Sequence, residues 1–194
     1  FDCATEDRRL SHDEEAQLAQ LAEDLGTKIT YDDPTTKLLD RYRLLWRIEN
    51  GELPDIPVEI RLQRGERSHF VVPASHHEFR TVTTAIGYAG PTARIRIAKG
   101  IYWRMGKLGL QRSTKEVLKQ LDAGTLYVTS KRLILDGAVK TTNILLRRVM
   151  NFTPYADGIR IEKDAGKDQF FMCAEEHVEM LACVLSAALT ADQG

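Results

Sequence analysis

The spacing of apolar residues changes near Pro54, and this change constrains the fold more than any other feature of the sequence. Before it, apolar residues recur at the helical period of about 3.6 residues. After it, Pro54 and Pro57 interrupt any helix, and short apolar stretches alternate with charged residues as in half-buried strands. The chain is therefore predicted to be an α+β protein, with a helical hairpin at 1–52 and a mostly antiparallel β domain at 53–194.

Two helices are expected in the first segment. Ser11 and Glu14 have the spacing of a capping box, and Gly26 provides a left-handed stop for the first helix. The second helix is predicted to begin at Asp33–Pro34, with an N-cap followed by proline, and to end at Asn50–Gly51.

The second segment is predicted to contain many short strands with frequent turns, which favours a sandwich or a barrel. The expected strands lie at 58–62, 69–72, 79–84, 93–103, 125–130, 132–136, 141–147, 149–155, 158–163 and 168–173. A helix is expected from Ser113, capped by Glu116 and closed by Gly124. A last amphipathic helix is expected at about 175–190, where it would cover an open end of the barrel.

Composition limits the class of protein. Of 194 residues, 43% are hydrophobic and 28% are charged, so the chain has enough apolar residues for a packed core. No apolar run approaches the ~20 residues that a membrane-spanning helix needs. The three cysteines are far apart and form no Cys-x-x-Cys motif, which favours reduced thiols and a cytoplasmic protein. Because the sequence begins at Phe1, an anchor or a further domain before it stays an open alternative.

The charges are unevenly distributed although the net charge is only −1. Residues 94–148 contain thirteen lysines and arginines but only three acidic residues, whereas both flanking segments are acidic. A basic region of this kind is typical of a surface that binds an anionic ligand. The candidate ligand-binding residues are Arg94, Arg96, Lys99, Arg104, Lys107, Lys131 and Arg132. Lys131 and Arg132 follow Ser130 in a predicted tight turn, and we expect them at or near solvent, without a protein partner.

Several segments resemble one family of domains. "GTLYVTSKRLIL" (124–135) is similar to the Gly-x-Leu-Tyr-x-Thr-x-Lys-Arg-Leu pattern of GRAM and bacterial pleckstrin-homology-like domains. "LQRGERSHFVVPA" resembles their opening strand, and "DQFFMCAEEHVEMLACVL" resembles their final strand and capping helix. The resemblance implies a pleckstrin-homology-like β-barrel closed by a C-terminal helix. The chain departs from the simpler members of the family by a basic insertion at about 75–123, where they have a short connection. The first helical stretch, "RRLSHDEEAQLAQLAEDLG", also resembles TerB-type helices.

No catalytic motif is found in the sequence. "GIYWRMGKL" (100–108) is similar to a phosphate-binding loop, but five residues separate its glycines and Leu108 replaces the Ser or Thr that binds the metal ion. His76 and His77 are expected to be loop or surface residues, and neighbours in an extended segment point to opposite faces, so they cannot bind a metal together. We therefore expect a protein without catalytic activity, cofactor or metal site.

Two functions remain open from the sequence. The first is a binding module that recognises anionic lipid headgroups or a membrane surface through the basic insertion, which would place the protein at the periphery of the membrane. The alternative is a protein-interaction or scaffold module that docks a partner protein or a second subunit. The basic residues also have a simpler interpretation, as an ordinary solvated surface. Nucleic acid is not favoured as a partner.

Overall fold

The structure is a computed structural model that describes residues 8–81, 85–87, 93–98, 101–105, 111–113 and 116–192, and the side chains of residues 8–80 and 118–192. The chain divides into two compact units, Phe1–Glu52 and Leu53–Gly194. No helix in the described ranges is both long enough and apolar enough to cross a bilayer.

The first unit contains the two predicted helices, α1 (His12–Asp24) and α2 (Asp33–Glu49). Both hydrogen bonds of the predicted capping box join Ser11 and Glu14 at the start of α1. The N-cap of α2 is Asp32, one residue earlier than predicted, because its carboxylate accepts the Thr35 N–H at 3.0 Å.

The second unit is built on strands and one helix. The elements are β1 (Ser68–Thr81), β2 (Ala85–Gly87), β3 (Ala93–Ala98), β4 (Ile101–Met105), β5 (Gln111–Ser113), β6 (Glu116–Thr129), β7 (Arg132–Gly137), β8 (Thr141–Leu145), β9 (Val149–Tyr155), β10 (Gly158–Lys163), β11 (Gln169–Met172) and α3 (Glu175–Asp192). The main sheet has the order β3-β4-β9-β10-β11-β1-β6-β7-β8, and β2 pairs with β5 separately. The seven strands from β9 to β8 are antiparallel, and β4 joins β9 through one parallel pairing, Arg104 with Tyr155.

The expected closure into a barrel is wrong for the described strands. Their sheet is open, and β3 and β8 form its two edges. The α+β class and the mostly antiparallel pairing are confirmed.

The core lies between one face of the sheet and α3. The helix packs against β1, β6, β9, β10 and a 3₁₀ turn at Leu146–Arg148. Its apolar residues Val178, Leu181 and Leu185 are fully buried, as the period predicted. The sheet residues that are almost fully buried include Val72, Leu126, Val128, Leu133, Leu135, Ile159, Ile161 and Phe171. Each such side chain contributes about 1.5–3 kcal/mol through burial, which stabilises the helix on the sheet.

The helix expected between Ser113 and Gly124 is also wrong. Most of this segment belongs to β6. This strand pairs with β1 along its whole length, from Glu116 opposite Thr81 to Thr129 opposite Ser68. A register shift at His76/His77 makes Leu121 the extra residue of a bulge, so the apolar residues of this strand do not alternate regularly. The missing period-two signal and the capping-box spacing together explain the incorrect prediction.

The segment 58–62 is not a strand, contrary to the prediction. Ile60 and Leu62 are half-buried, and Ile60 lines a groove with Ile134 of β7. The alternation of apolar and charged residues at 58–62 therefore reflects the packing of one side of an irregular segment. It does not reflect hydrogen bonding to a neighbouring strand.

Candidate interaction site at the edge of the sheet

A buried carboxylate organises the turn between β6 and β7. The Glu66 side chain is 0% exposed and accepts hydrogen bonds from Thr129 Oγ1 at 2.7 Å and from the Gln63 N–H at 2.6 Å. The Arg132 guanidinium donates Nε–H to Oε1 at 2.9 Å and Nη2–H to Oε2 at 3.1 Å. Burial alone would raise the pKa of Glu66, but these donors and the arginine charge outweigh it and lower the pKa below its ordinary value. Glu66 is therefore an ionised, fully hydrogen-bonded anchor.

The basic pair at the turn has protein partners, contrary to expectation. The predicted turn at Ser130–Lys131 is confirmed, and both Lys131 and Arg132 are partly exposed. Besides its contacts with Glu66, Arg132 donates to Asn143 Oδ1 at 3.1 Å, and Lys131 Nζ donates to the Arg64 carbonyl at 2.8 Å. The turn thus holds the segment 61–67 against the sheet. A ligand-binding role for these two residues stays a prediction.

The other candidate cations belong to the insertion. Arg94 lies opposite Arg104 in the β3–β4 register, and Arg96 lies opposite Tyr102. Lys99 and Lys107 lie outside the described residues. The predicted binding role of all five stays a prediction.

His76 is a core residue of β1 and not the expected surface histidine. It is 2% exposed, stacks on Phe171, and bonds through Nε2 to Gln169 Oε1. Gln169 Nε2 donates to the Lys167 carbonyl at 2.9 Å, so Oε1 is the acceptor end and His76 Nε2 carries the proton. His76 Nδ1 is then an unprotonated nitrogen, buried without a hydrogen-bond partner in the described structure.

His77 lies on the opposite face of β1, as predicted, and bonds through Nε2 to Ser75 Oγ at 2.9 Å. Burial lowers the pKa of both histidines, so both favour the neutral form. Among the described side chains, no group of three His, Cys, Asp or Glu residues could hold a metal ion.

The connection between β7 and β8 is held by a second carboxylate. Asp122 accepts the Val139 N–H at 3.1 Å, the Lys140 N–H at 3.0 Å and the Ala123 N–H at 2.9 Å. Burial alone would raise the pKa of Asp122, but these backbone donors outweigh it and lower the pKa. A Cβ at Gly137 would lie 2.2 Å from Asp122 Oδ2, so this close approach requires glycine.

The outer edge of β8 presents backbone groups that no described strand pairs with. The Leu146 N–H donates to the Lys131 carbonyl at 2.9 Å, in register with the β7–β8 pairs. Hydrogen-bonded pairs alternate along an antiparallel ladder, so Ile144 and Thr142 bond to β7. The edge residues Thr141, Asn143 and Leu145 therefore direct their N–H and C=O groups away from β7.

A groove of about 250 Å³ runs beside this edge. It is lined by Ile60, Arg61, Arg132, Ile134, Asp136, Thr141 and Asn143. Ile134 is 3% exposed and forms an apolar floor with Ile60, whereas the rim is polar. The groove and the free edge together have the form of a site for an extended chain.

The charge around this site is mainly positive. Arg61, Lys140 and Arg147 are exposed, and none of the three forms an ion pair with a described residue. The acidic rim residue, Asp136, accepts a hydrogen bond from Thr141 Oγ1 at 3.2 Å. A negatively charged ligand would therefore find cations at both ends of β8.

Sequence reasoning identified Lys131 and Arg132 but missed Glu66, Arg61 and Asn143. The polar stretch "TTN" at the start of β8 was an available signal, because a strand with few apolar residues is typical of a sheet edge. No feature of the sequence near Arg132 indicated which residue it pairs with.

Protein-family models and curated proteins were both compared with the chain, and neither comparison found a match.

Proposed function

We propose that the protein is a non-catalytic binding module that captures an extended, acidic segment of a partner protein along β8. The observation that carries this proposal is the edge formed by Thr141, Asn143 and Leu145, which no described strand covers, beside cations that form no ion pair with a described residue. Strand addition at such an edge obtains affinity from backbone hydrogen bonds and specificity from the neighbouring groove. The resemblance to GRAM and pleckstrin-homology-like domains also favours a binding role over a catalytic one.

The geometry defines what the partner segment should contain. Five residues of β8 offer an edge of roughly 17 Å, which suits a peptide of similar length in extended conformation. Alternate side chains of the peptide would face the groove, where Ile60 and Ile134 favour apolar groups. Carboxylates near its ends would meet Lys140 and Arg147, which increases the rate of association and makes binding sensitive to salt.

A labelled short peptide that alternates valine and glutamate tests this function by fluorescence anisotropy. We expect saturable binding that weakens as salt increases. A peptide with lysine in place of glutamate, and a valine–glutamate peptide with alternate backbone nitrogens methylated, should bind at least several-fold more weakly.

Asn143 offers a matched pair of variants. Asn143→Pro and Asn143→Thr both remove the side-chain bond to Arg132, but only Asn143→Pro removes the outward N–H. Proline is tolerated at an edge position whose N–H faces solvent, so both variants should fold. Peptide binding should fall with Asn143→Pro and persist with Asn143→Thr; equal binding by the two variants would contradict strand addition.

A second candidate function is recognition of anionic lipid by the insertion. The β3–β4 register favours it, because Arg94 and Arg104 occupy directly opposed positions and like charges at such positions repel unless an anion compensates them. Vesicles containing phosphatidylserine should bind the protein at low salt. Reversal of Lys99, Arg104 and Lys107 to Glu should weaken this binding without changing thermal stability, and unchanged binding would exclude a lipid role for these residues.

A further inference from the structure

The groove beside β8 has opposite charges at its two ends. Arg132, Ile134 and Asp136 of β7 line it, and because they are two positions apart they follow one another on the same face of the sheet. Arg132 pairs with Leu145 at one end of β8, and Asp136 pairs with Thr141 at the other end. Four steps along β7 separate the two ends, which is roughly 13 Å.

The cation that a ligand meets at the Leu145 end is Arg61 and not Arg132. The Arg132 guanidinium already forms two hydrogen bonds with Glu66, so its charge is compensated within the protein. Its Nη2–H also donates to the Arg61 carbonyl at 3.4 Å, which places Arg61 at this end of the groove. The Arg61 side chain lines the groove, is exposed, and forms no ion pair with a described residue.

The anion at the Thr141 end is Asp136. Its side chain is exposed and lines the groove, and its carboxylate accepts the Thr141 hydroxyl at 3.2 Å. A hydroxyl donor does not neutralise the carboxylate, and no lysine or arginine among the described residues pairs with it. Ile134 lies between the two ends and forms the apolar floor with Ile60. The groove therefore runs from a cation through an apolar centre to an anion.

The hydrogen-bonding pattern of β8 determines which side chains of an added strand face the groove. Thr141, Asn143 and Leu145 direct their backbone groups outward, so an antiparallel strand bonds to them through the residues directly opposite. Directly opposite residues of an antiparallel pair have their side chains on the same face of the sheet. Alternate residues of the added strand thus face the groove, and the residues between them face the other side.

We propose that β8 selects an antiparallel segment whose sequence, from its N-terminus, is acidic–x–aliphatic–x–basic, and that Arg61 and Asp136 determine this specificity. The selection depends on the strand addition proposed for β8. Because β8 runs from Thr141 to Leu145, the N-terminal residue of an antiparallel segment lies at the Arg61 end and its C-terminal residue lies beside Asp136. The aliphatic side chain in the middle then covers Ile134.

The same charges disfavour the opposite direction. A parallel segment of this sequence would place its acidic residue beside Asp136 and its basic residue beside Arg61, so like charges would meet at both ends. The reversed sequence can satisfy both charges only as a parallel strand, and parallel pairing is slightly less stable per residue than antiparallel pairing.

Two labelled peptides of identical composition and net charge test this specificity. Acetyl-Glu-Glu-Val-Glu-Lys-amide has the proposed order, and acetyl-Lys-Glu-Val-Glu-Glu-amide has the reverse order. Fluorescence anisotropy should show several-fold tighter binding of the first peptide. Equal binding of the two would overturn the specificity but leave strand addition intact if the alternating valine–glutamate peptide also bound. If none of the three peptides bound, the proposed function would fail and the specificity with it.

A charge exchange in the groove tests the roles of the two residues. Arg61→Glu/Asp136→Lys keeps the net charge of the protein and changes only exposed side chains, so the thermal midpoint should stay nearly unchanged. This double variant should bind the reversed peptide more tightly than the first one. A double variant with the preference of the wild type would overturn the assignment of Arg61 and Asp136.

A nitroxide on the N-terminus of the first peptide tests the direction in the wild-type protein. In the antiparallel complex the label lies at the Leu145 end of β8, so the amide NMR signal of Leu145 should broaden more than that of Thr141. Stronger broadening at Thr141 would overturn the antiparallel arrangement.

Discussion

Arg132 and Glu66 form a two-point ion pair across 66 positions of sequence, with Nε–Oε1 at 2.9 Å and Nη2–Oε2 at 3.1 Å. The Glu66 side chain is fully buried, and the Arg132 side chain is 16% exposed. Paired hydrogen bonds of this geometry are among the stronger polar contacts in proteins. They attach the segment before β1 to the turn between β6 and β7, and so form one wall of the groove beside β8.

Loss of the arginine should destabilise the fold strongly. Arg132→Met leaves the Glu66 carboxylate buried without its cation, and we expect a decrease of about 3–5 kcal/mol in the free energy of unfolding, measured with urea. Lys131→Met removes only an exposed bond to a carbonyl and should cost at most about 1 kcal/mol. Similar losses in the two variants would show that the Glu66 pair is not an anchor.

Stability should fall at acidic pH because His76 and His77 are held neutral. Their pKa values are lowered by burial in the folded chain, so the unfolded chain binds more protons below its histidine pKa of about 6.5. The stabilisation is complete above that pH and is lost as pH falls toward the lower folded values. His76→Met should flatten the pH dependence of the urea midpoint between about pH 7 and pH 5.

A surface variant provides the comparison for this pH effect. His177→Gln should keep the steeper dependence, because both buried histidines are still present. If His76→Met and His177→Gln followed the same pH curve, His76 would not contribute to the effect.

Asp122 and Gly137 should behave as a coupled pair. Gly137→Ala places a methyl group against Asp122 Oδ2 and the Lys140 carbonyl, so it should lower the thermal midpoint. In a chain that already carries Asp122→Ala, the carboxylate nearest to the added methyl group is absent, so Gly137→Ala should lower the thermal midpoint less. A double-variant cycle from thermal unfolding measures the coupling, and strict additivity would contradict the proposed contact.

Cys173 should be slow to react with thiol reagents. Burial and the negative charge of Asp157 raise its pKa to about 11, so roughly one molecule in a thousand carries the thiolate at pH 8. In a Cys3→Ser/Cys183→Ser chain, alkylation by iodoacetamide should be much slower in the folded state than in urea. Equal rates in the two states would show that the thiol is not suppressed.

Charge reversal at the two ends of β8 should change peptide association more than fold stability. Lys140→Glu with Arg147→Glu replaces two exposed cations that pair with no described acidic residue, so the free energy of unfolding should change by less than about 1 kcal/mol. Association of the valine–glutamate peptide should slow several-fold at low salt, and the difference should shrink at high salt. An unchanged association rate, measured by stopped-flow fluorescence, would show that these cations do not attract the ligand.

Short-range signals in the sequence were sufficient for α1, α2 and α3. Ser11 and Glu14 locate the start of α1 because both hydrogen bonds of the cap are local. Val178, Leu181 and Leu185 revealed the buried face of α3 because helical periodicity depends only on neighbours along the chain. The turn at Ser130–Lys131 and the basic candidates Lys131 and Arg132 were predicted from neighbouring residues as well.

Contacts between residues far apart in sequence determined the order of the strands and the partners of their side chains. The segment after Ser113 joined β1 as a long strand because pairing across the sheet outweighs a local helix signal, and the bulge at Leu121 hid its strand period. Only the tertiary structure showed that no described strand pairs with the outer edge of β8 and that Glu66 is the partner of Arg132. Composition and local spacing therefore determined α1, α2, α3, the turn and the basic region. The strand order, the edge at β8 and the partner of each cation depend instead on contacts that the fold creates between segments far apart in sequence.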